Sequence, residues 1–345
     1  MIKLIIIKNT YELENNEQIV RIIFGNDDNF EFTYENLHAI HKSNDTAITF
    51  IEKNMQFITV FKKRSENIYE CCMGIEPIHA KVKPNKNDLM LFIEKIYKYF
   101  EDKVLYFPLI YEKSEFYKLF NKDKLFIKYK RLYTSIVELS KYTNIFDDIK
   151  NDRYLSKRKI NNLEKISYIM NVTKKDVIAN IAFIENKSWK SKFGQDMVTH
   201  EDKLIYYTEL IKSGLAEVTF LFDKKDNTPI AYRIDASVRD KIFQLKTSFN
   251  EQYKKYSPGT YLIVYDIIKY YKEKDYKEID LYGGPNLVKD IVENRRVERY
   301  DFCYGDINIV KELKIKRENW DKKNFENFQK SQAIRKIYKE KIKNE

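Results

Sequence analysis

Residues 256–271 read YSPGTYLIVYDIIKYY, a Ser-Pro-Gly-Thr turn running directly into a helix that is apolar on almost every side. The chain has only eight glycines and six prolines in 345 residues, so one of each at the mouth of its most hydrophobic helix asks for a physical reason. A helix start leaves backbone N–H groups without partners and gathers positive dipole, so a tight turn there can cradle a phosphate or a developing anion. The same residues also suit plain capping, with Ser257 as the cap and Pro258 in the first turn. Tyr261, Val264, Tyr265, Ile268 and Tyr271 form one face of this helix, and Leu262, Ile263 and Ile267 fill the other. Burial on more than one side is what a crossover helix between parallel strands requires.

Working outward from this helix, the chain repeats itself in pattern. AEVTFLFDKK, PIAYRIDAS and KIFQLKTSF precede it and EIDLYGG follows. In the first half AITFIEK, QFITVFKK and NIYECCMG precede LMLFIEKIYKYF, and KVLYFPLIY follows. Aligning Ile48 with Val218, Leu89 with Tyr261 and Val104 with Ile279 leaves an offset that drifts only from 170 to 175 residues. Each half therefore reads strand, strand, strand, helix, strand. The strands rest on short β-branched and aromatic runs with alternation, bounded by turn residues. In the first half, Leu89, Phe92, Ile93, Ile96, Tyr97 and Phe100 make a helical stripe that faces a sheet.

Length suggests two domains. The expected organisation is a degenerate domain over 1–143, a charged connecting helix over 144–170, a second domain over 171–306 and a basic helical tail over 307–345. In the tail, Trp320, Phe325 and Phe328 are able to face a core. Apolar residues at 43% and aromatics at 15% supply two cores. The net charge of +11 permits a polyanionic partner. The abundance of Lys, Asn, Ile, Tyr and Phe equally suits an AT-rich coding sequence. Cys71, Cys72 and Cys303 form neither a disulfide framework nor a metal pair, so no metal is expected and a reducing, cytoplasmic setting fits. MIKLIIIKNT reads as a strand because its apolar run is short and no cleavage site follows. No run approaches the length of a membrane span.

Three meandering strands, a phosphate-compatible turn, a buried helix and a parallel fifth strand resemble the core of the GNAT N-acyltransferase fold, present here twice. The fold class is α/β, with two tandem GNAT-like domains of mixed sheets and flanking helices. Tandem halves of this kind are similar to the FemAB-like group, including its acetyltransferase branch. The resemblance is carried by ENKSWKSKFG (185–194), PIAYRI (229–234), KTSFNEQYKKYSPGTYL (246–262) and EIDLYGGPNLVKD (278–290). It implies an acyl-CoA donor, acetyl-CoA in the simplest case, and an amine acceptor on a small molecule, amino sugar or peptide.

A pantetheine thioester carries a pyrophosphate, and Tyr256, Ser257, Gly259 and Thr260 would meet it with backbone N–H groups. Gly259, lacking a Cβ, allows close approach and an unusual φ. The equivalent place in the first half, HAKVKPNKND, has no glycine, which assigns the donor to the second half. Lys246 is either an anchor for an anion or a solvated strand lysine. Acyl transfer to an amine needs a base and an oxyanion partner. Asp280, with Tyr282 on the same strand face, sits where open α/β sheets bind ligands; it also suits a turn former beside Gly283. Glu185 is a second candidate, with a plain surface carboxylate as its alternative. His200 reads as a base or as a solvated residue at a helix start. The resemblance places Trp189, Lys190 and Lys289 on the substrate side. Two other readings remain open: an aminoacyl-tRNA-dependent transferase, which +11 would suit, and a non-catalytic scaffold of the same fold.

Overall fold

Apolar runs with period two become strands, and the period-3.6 stripes become the helices that cover them. The computed structural model describes residues 4–25, 27–54, 56–141, 157–171, 177–273 and 275–343. The chain divides into two units, Met1–Tyr133 with Val297–Asn327, and Thr134–Arg296 with Phe328–Glu345.

The first unit contains strands β1 (Leu4–Ile7), β2 (Ile48–Glu52), β3 (Phe57–Ser65), β4 (Ile68–Cys71), β5 (His79–Ala80), β6 (Val104–Tyr111) and β7 (Ile127–Lys130). Its helices are α1 (Thr10–Asn15), α2 (Glu17–Phe24), α3 (Tyr34–Ser43), α4 (Lys86–Tyr99) and α5 (Glu115–Phe120). The second unit contains β8 (Thr134–Glu138), β9 (Ser167–Asn171), β10 (Ala216–Asp223), β11 (Pro229–Val238), β12 (Lys241–Phe249), β13 (Glu278–Asp280) and β14 (Arg295–Val297). Its helices are α6 (Lys157–Ile166), α7 (Val177–Lys187), α8 (Glu201–Lys212), α9 (Pro258–Glu273) and α10 (Leu287–Val292). Strand β15 (Arg299–Tyr304) and helix α11 (Ile307–Lys343) follow.

The strand orders are β1-β2-β3-β4-β6-β15-β7, with β5 on β3, and β14-β8-β13-β12-β11-β10-β9. Both repeats keep the expected plan: β4 pairs with β6 in parallel across α4, and β12 pairs with β13 in parallel across α9. The units do not follow sequence order, because β15 completes the first sheet although it lies after every strand of the second. The segment expected as a connecting helix is helical over Lys157–Ile166 and then becomes β9; residues 142–156 lie outside the described residues.

Helix α9 is buried as its composition demands. Ile263, Val264 and Ile267 pack with Val137, Ile242, Ile279 and Leu281, and Leu262 packs with Leu163, Leu221 and Ile230 on the other side. Each such side chain contributes about 1.5–3 kcal/mol by leaving water. In the tail, Phe328 is buried, but Trp320 and Phe325 are exposed, which corrects the expectation that all three face a core. Among the described residues no helix is long and apolar enough to cross a membrane.

Candidate active site

The parallel pair β12 and β13 is short. It holds at Lys241–Glu278, Ile242–Ile279 and Phe243–Asp280, after which β13 ends and β12 runs on to Phe249. On its other edge β12 stays paired with β11 through Phe249–Ala231. That pairing contains a bulge, since Ile234 faces Lys246 and Asp235 faces Gln244, leaving Leu245 without a counterpart. A bulge bends its strand and sharpens the local twist. The β13-facing edge of β12 thus has no strand partner past Phe243 among the described residues.

Helix α9 starts just beyond the end of β12. Asn250 accepts the Gln252 N–H at 3.1 Å and opens a short 3-10 turn over Glu251–Tyr256. Ser257 then takes the left-handed conformation, φ 55° and ψ 51°, and its carbonyl accepts the Tyr261 N–H at 3.0 Å. Pro258 has no N–H, so Gly259 and Thr260 are the first-turn donors directed out of the helix start. Gly259 has no left-handed backbone; a Cβ there would stand 3.3 Å from the Phe249 ring. Its value is therefore the close approach of the helix start to the end of β12, while the turn's unusual φ belongs to Ser257. Thr260 is buried and Tyr256 half-buried. In the first unit the corresponding helix α4 is capped by its own Asn85, which accepts the Asp88 N–H at 2.9 Å.

Asp280 and Tyr282 meet in a second group. The buried Asp280 accepts the Tyr282 N–H at 2.8 Å and the Thr134 hydroxyl at 3.4 Å. Tyr282 has φ 28° and Gly283 φ 111°, a conformation that side chains disfavour. Lys289 braces this turn: it is buried, its Nζ donates to the Tyr282 carbonyl at 3.1 Å, and a Cβ on Gly283 would lie 3.4 Å from that nitrogen.

Glu185 and Lys190 form the third group, with Lys246 close enough to act on it electrostatically. Glu185 is fully buried near the end of α7 rather than on the surface. Its Oε1 accepts the Tyr232 hydroxyl at 2.5 Å and its Oε2 the Met197 N–H at 2.9 Å. Lys190 Nζ stands 4.0 Å from Oε1 and donates to the Thr247 carbonyl at 2.7 Å. Burial, with the positive Lys246 adding to it, pushes the Lys190 ammonium down to about 8 against the pull of Glu185. Burial also lowers Lys246, while burial and the Glu185 charge raise the Tyr232 hydroxyl. Trp189 is 42% exposed and lies edge-on to Phe193 at 6.1 Å. His200 stands at the N-terminus of α8, its Nε2 3.0 Å from the Gly194 carbonyl.

Sequence reasoning missed Tyr232 and a buried charge cluster on the α9 face of the sheet. Arg233, with no exposure, has Nε 2.8 Å from Asp235 and 3.2 Å from Asp266. Burial, with Asp235 adding and Arg233 opposing, raises the Asp266 carboxyl to about 7. The available signal was charge inside apolar elements: Arg and Asp in YRID, and Asp266 in the apolar helix.

Residues 150–290 match the family model described as acetyltransferase (GNAT) domain. No curated protein matches the sequence. Among solved structures, that of L-PGS from Bacillus licheniformis is 11% identical, with 85% of this chain and 94% of that chain covered and a TM-score of 0.57. FemX is 10% identical, with 86% and 98% covered and a TM-score of 0.52. A tandem GNAT protein from the clavulanic acid biosynthesis pathway is 7% identical, with 88% and 98% covered and a TM-score of 0.54. At these identities the likeness is one of fold. The chain has the tandem GNAT fold, and its residues 150–290 match an acetyltransferase domain.

Proposed function

We propose that the protein moves an acyl group, acetyl in the simplest case, from a coenzyme A thioester to an amine of a small molecule, amino sugar or peptide, as a member of the FemAB-like group. One observation carries this reading: the β12–β13 pair parts after Phe243 and Asp280, and the Gly259–Thr260 helix start lies at the far end of the free β12 edge. An extended thioester arm fits along an unpaired strand edge, with its pyrophosphate at the helix start. Ser257 and Tyr256 shape that end, and Lys246 adds positive charge from β12. Free thiols at Cys71, Cys72 and Cys303 suit a cytoplasmic enzyme.

In the transfer, the amine nitrogen forms the new bond to the acyl carbon, the C–S bond breaks, and the proton shed by the amine must be taken up as the thiolate leaves. Lys190 is the group best poised to take it, because its depressed basicity leaves part of it neutral near pH 8. Glu185 and Asp280, each holding chain donors, act by positioning: Glu185 sets Tyr232 and Lys190, and Asp280 with Lys289 sets the Tyr282 turn. Trp189 offers an exposed aromatic face to the acceptor. A second reading, an aminoacyl-tRNA donor, is favoured by the net charge of +11. The test is thiol release from acetyl-CoA across a panel of amines. Release that depends on the amine is expected, and its absence across amino sugars, amino acids and peptides, with aminoacyl-tRNA consumed instead, would overturn the first reading for the second.

A further inference from the structure

The α7 side of β12 carries more positive charge than its neighbours answer. Ser248 lies opposite Tyr232, whose hydroxyl holds Glu185, and Lys246 lies opposite Ile234, so both side chains project onto the α7 face of the sheet. Three lysines gather there: Lys246 acts electrostatically on Lys190, and Lys203 acts on Lys246. The two carboxylates that act on Lys246 in the same way are Glu185 and Asp196, and the chain already engages both. Glu185 holds the Tyr232 hydroxyl and the Met197 N–H, while Asp196 accepts the Thr199 N–H and the Thr199 hydroxyl, each at 2.8 Å. Lys190 donates to the Thr247 carbonyl. Lys246, half-buried, makes neither a hydrogen bond nor an ion pair among the described residues, and burial lowers its ammonium. Ser248 is only 4% exposed, and its hydroxyl has no hydrogen-bond partner among the described residues.

A half-buried ammonium without a bonded counter-charge, on the same face as a buried hydroxyl without a partner, bears a desolvation cost that an anion supplied from outside would offset. One ammonium and one hydroxyl match the single charge and two oxygens of a carboxylate, whereas a phosphate brings more charge and more acceptor oxygens than these two donors meet. Lys190, the proton acceptor above, lies near both Glu185 and Lys246, which puts an amine and a carboxylate within one small molecule. We propose that the acceptor is an amino acid whose carboxylate is bound by Lys246, with the Ser248 hydroxyl as a second donor, while its amine meets Lys190. Lys246 is thus the residue that sets acceptor specificity, and plain amino sugars are disfavoured for want of the anion. This rests on the acyl-transfer reading above and narrows its acceptor.

The test measures thiol release from acetyl-CoA by the full chain with the standard amino acids, each beside its primary amide, and with glucosamine and glucosamine 6-phosphate. For the amino acid best accepted, kcat/KM should exceed that of its amide about tenfold, chiefly through KM, as one partly buried ammonium–carboxylate contact allows. Lys246→Met should bring that ratio to about one, and Lys246→Arg should keep most of it; the ratio cancels whatever Lys246 contributes to the donor. Equilibrium binding of the N-acetyl amino acids is the second readout, and they should bind more tightly than their amides only where residue 246 is cationic. Equal rates for acids and amides, or an acid preference that survives Lys246→Met, would overturn the carboxylate site, while amine-dependent thiol release would leave the acyl-transfer reading standing. A Lys246-dependent preference for glucosamine 6-phosphate would overturn the site in favour of a phosphorylated acceptor. If no amine releases thiol yet the N-acetyl amino acids bind with this dependence on Lys246, the carboxylate site stands and the coenzyme A donor falls. Silence in both assays would overturn both.

Discussion

The Tyr232 hydroxyl donates to Oε1 of Glu185 at 2.5 Å, with both side chains closed off from solvent. This bond ties the middle of β11 to the end of α7, and the same carboxylate also holds the Met197 N–H. Removing one partner leaves a buried charged group short of a donor, which costs more than the bond itself contributes.

Tyr232→Phe should therefore lower unfolding free energy by about 2 kcal/mol. Glu185→Gln should slow turnover about 100-fold, because the carboxamide has one oxygen where the carboxylate accepts from both Tyr232 and Met197, so the group that positions Lys190 is displaced. Denaturant melts and steady-state rates read the two effects. Wild-type stability in Tyr232→Phe would show that the bond carries no weight.

Lys190 predicts a pH dependence with a definite sign. Its ammonium is lowered from 10.5 to about 8 by burial, so the neutral form grows as pH rises through 8, and kcat should climb on a limb centred there. Lys190→Met should abolish the limb. Between about pH 8 and 10.5 the unfolded chain holds this proton and the folded chain does not, so stability gained from this group rises with pH across that window. The stability of wild type relative to Lys190→Met should accordingly improve from pH 7 to pH 10. A limb unchanged in the variant would assign the proton transfer to another group.

Lys289 holds a turn that Tyr282 disfavours at φ 28° and that glycine permits at φ 111° in Gly283. Gly283→Ala should cost about 1–3 kcal/mol, because alanine is strained at that φ. Lys289→Met should lower turnover more than tenfold with donor affinity changed little, since the turn lies at the β13 end of the site and not at the helix start. Parallel rate and binding measurements decide it; loss of donor affinity in step with turnover would place Lys289 on the donor instead.

The repeat was legible because each of its elements carries a local signal. The alternation in AEVTFLF and PIAYRI, and the all-round apolarity of YLIVYDIIKYY, arise within a few residues and survive into β10, β11 and α9. Partners distant in sequence left no such mark. Glu185 stays open in the sequence between a site residue and a surface carboxylate because its donors Tyr232 and Met197 lie 47 and 12 residues away. Asp266 carries no local mark of its role because its partner Arg233 comes from another element. The placement of β15 in the first sheet is invisible for the same reason, since strand pairing is non-local. At the turn, glycine drew attention as the residue of free φ, yet the left-handed backbone fell on Ser257 and Gly259 served contact with Phe249.

The central claim is a coenzyme A donor seated at the α9 start of the second unit, and the most direct measurement is titration of wild type and Gly259→Val with acetyl-CoA at about 50 and 200 mM salt, beside aminoacyl-tRNA. A donor with few phosphates releases few counterions, whereas tRNA contacting six or more phosphates would lose about three orders of magnitude in affinity over that range. The account predicts saturable acetyl-CoA binding with a shallow salt dependence, weakened about tenfold or more in a still-folded Gly259→Val, where the added branches press on Phe249 and shift the helix start. Tight, steeply salt-dependent tRNA binding with no affinity for acetyl-CoA would contradict it.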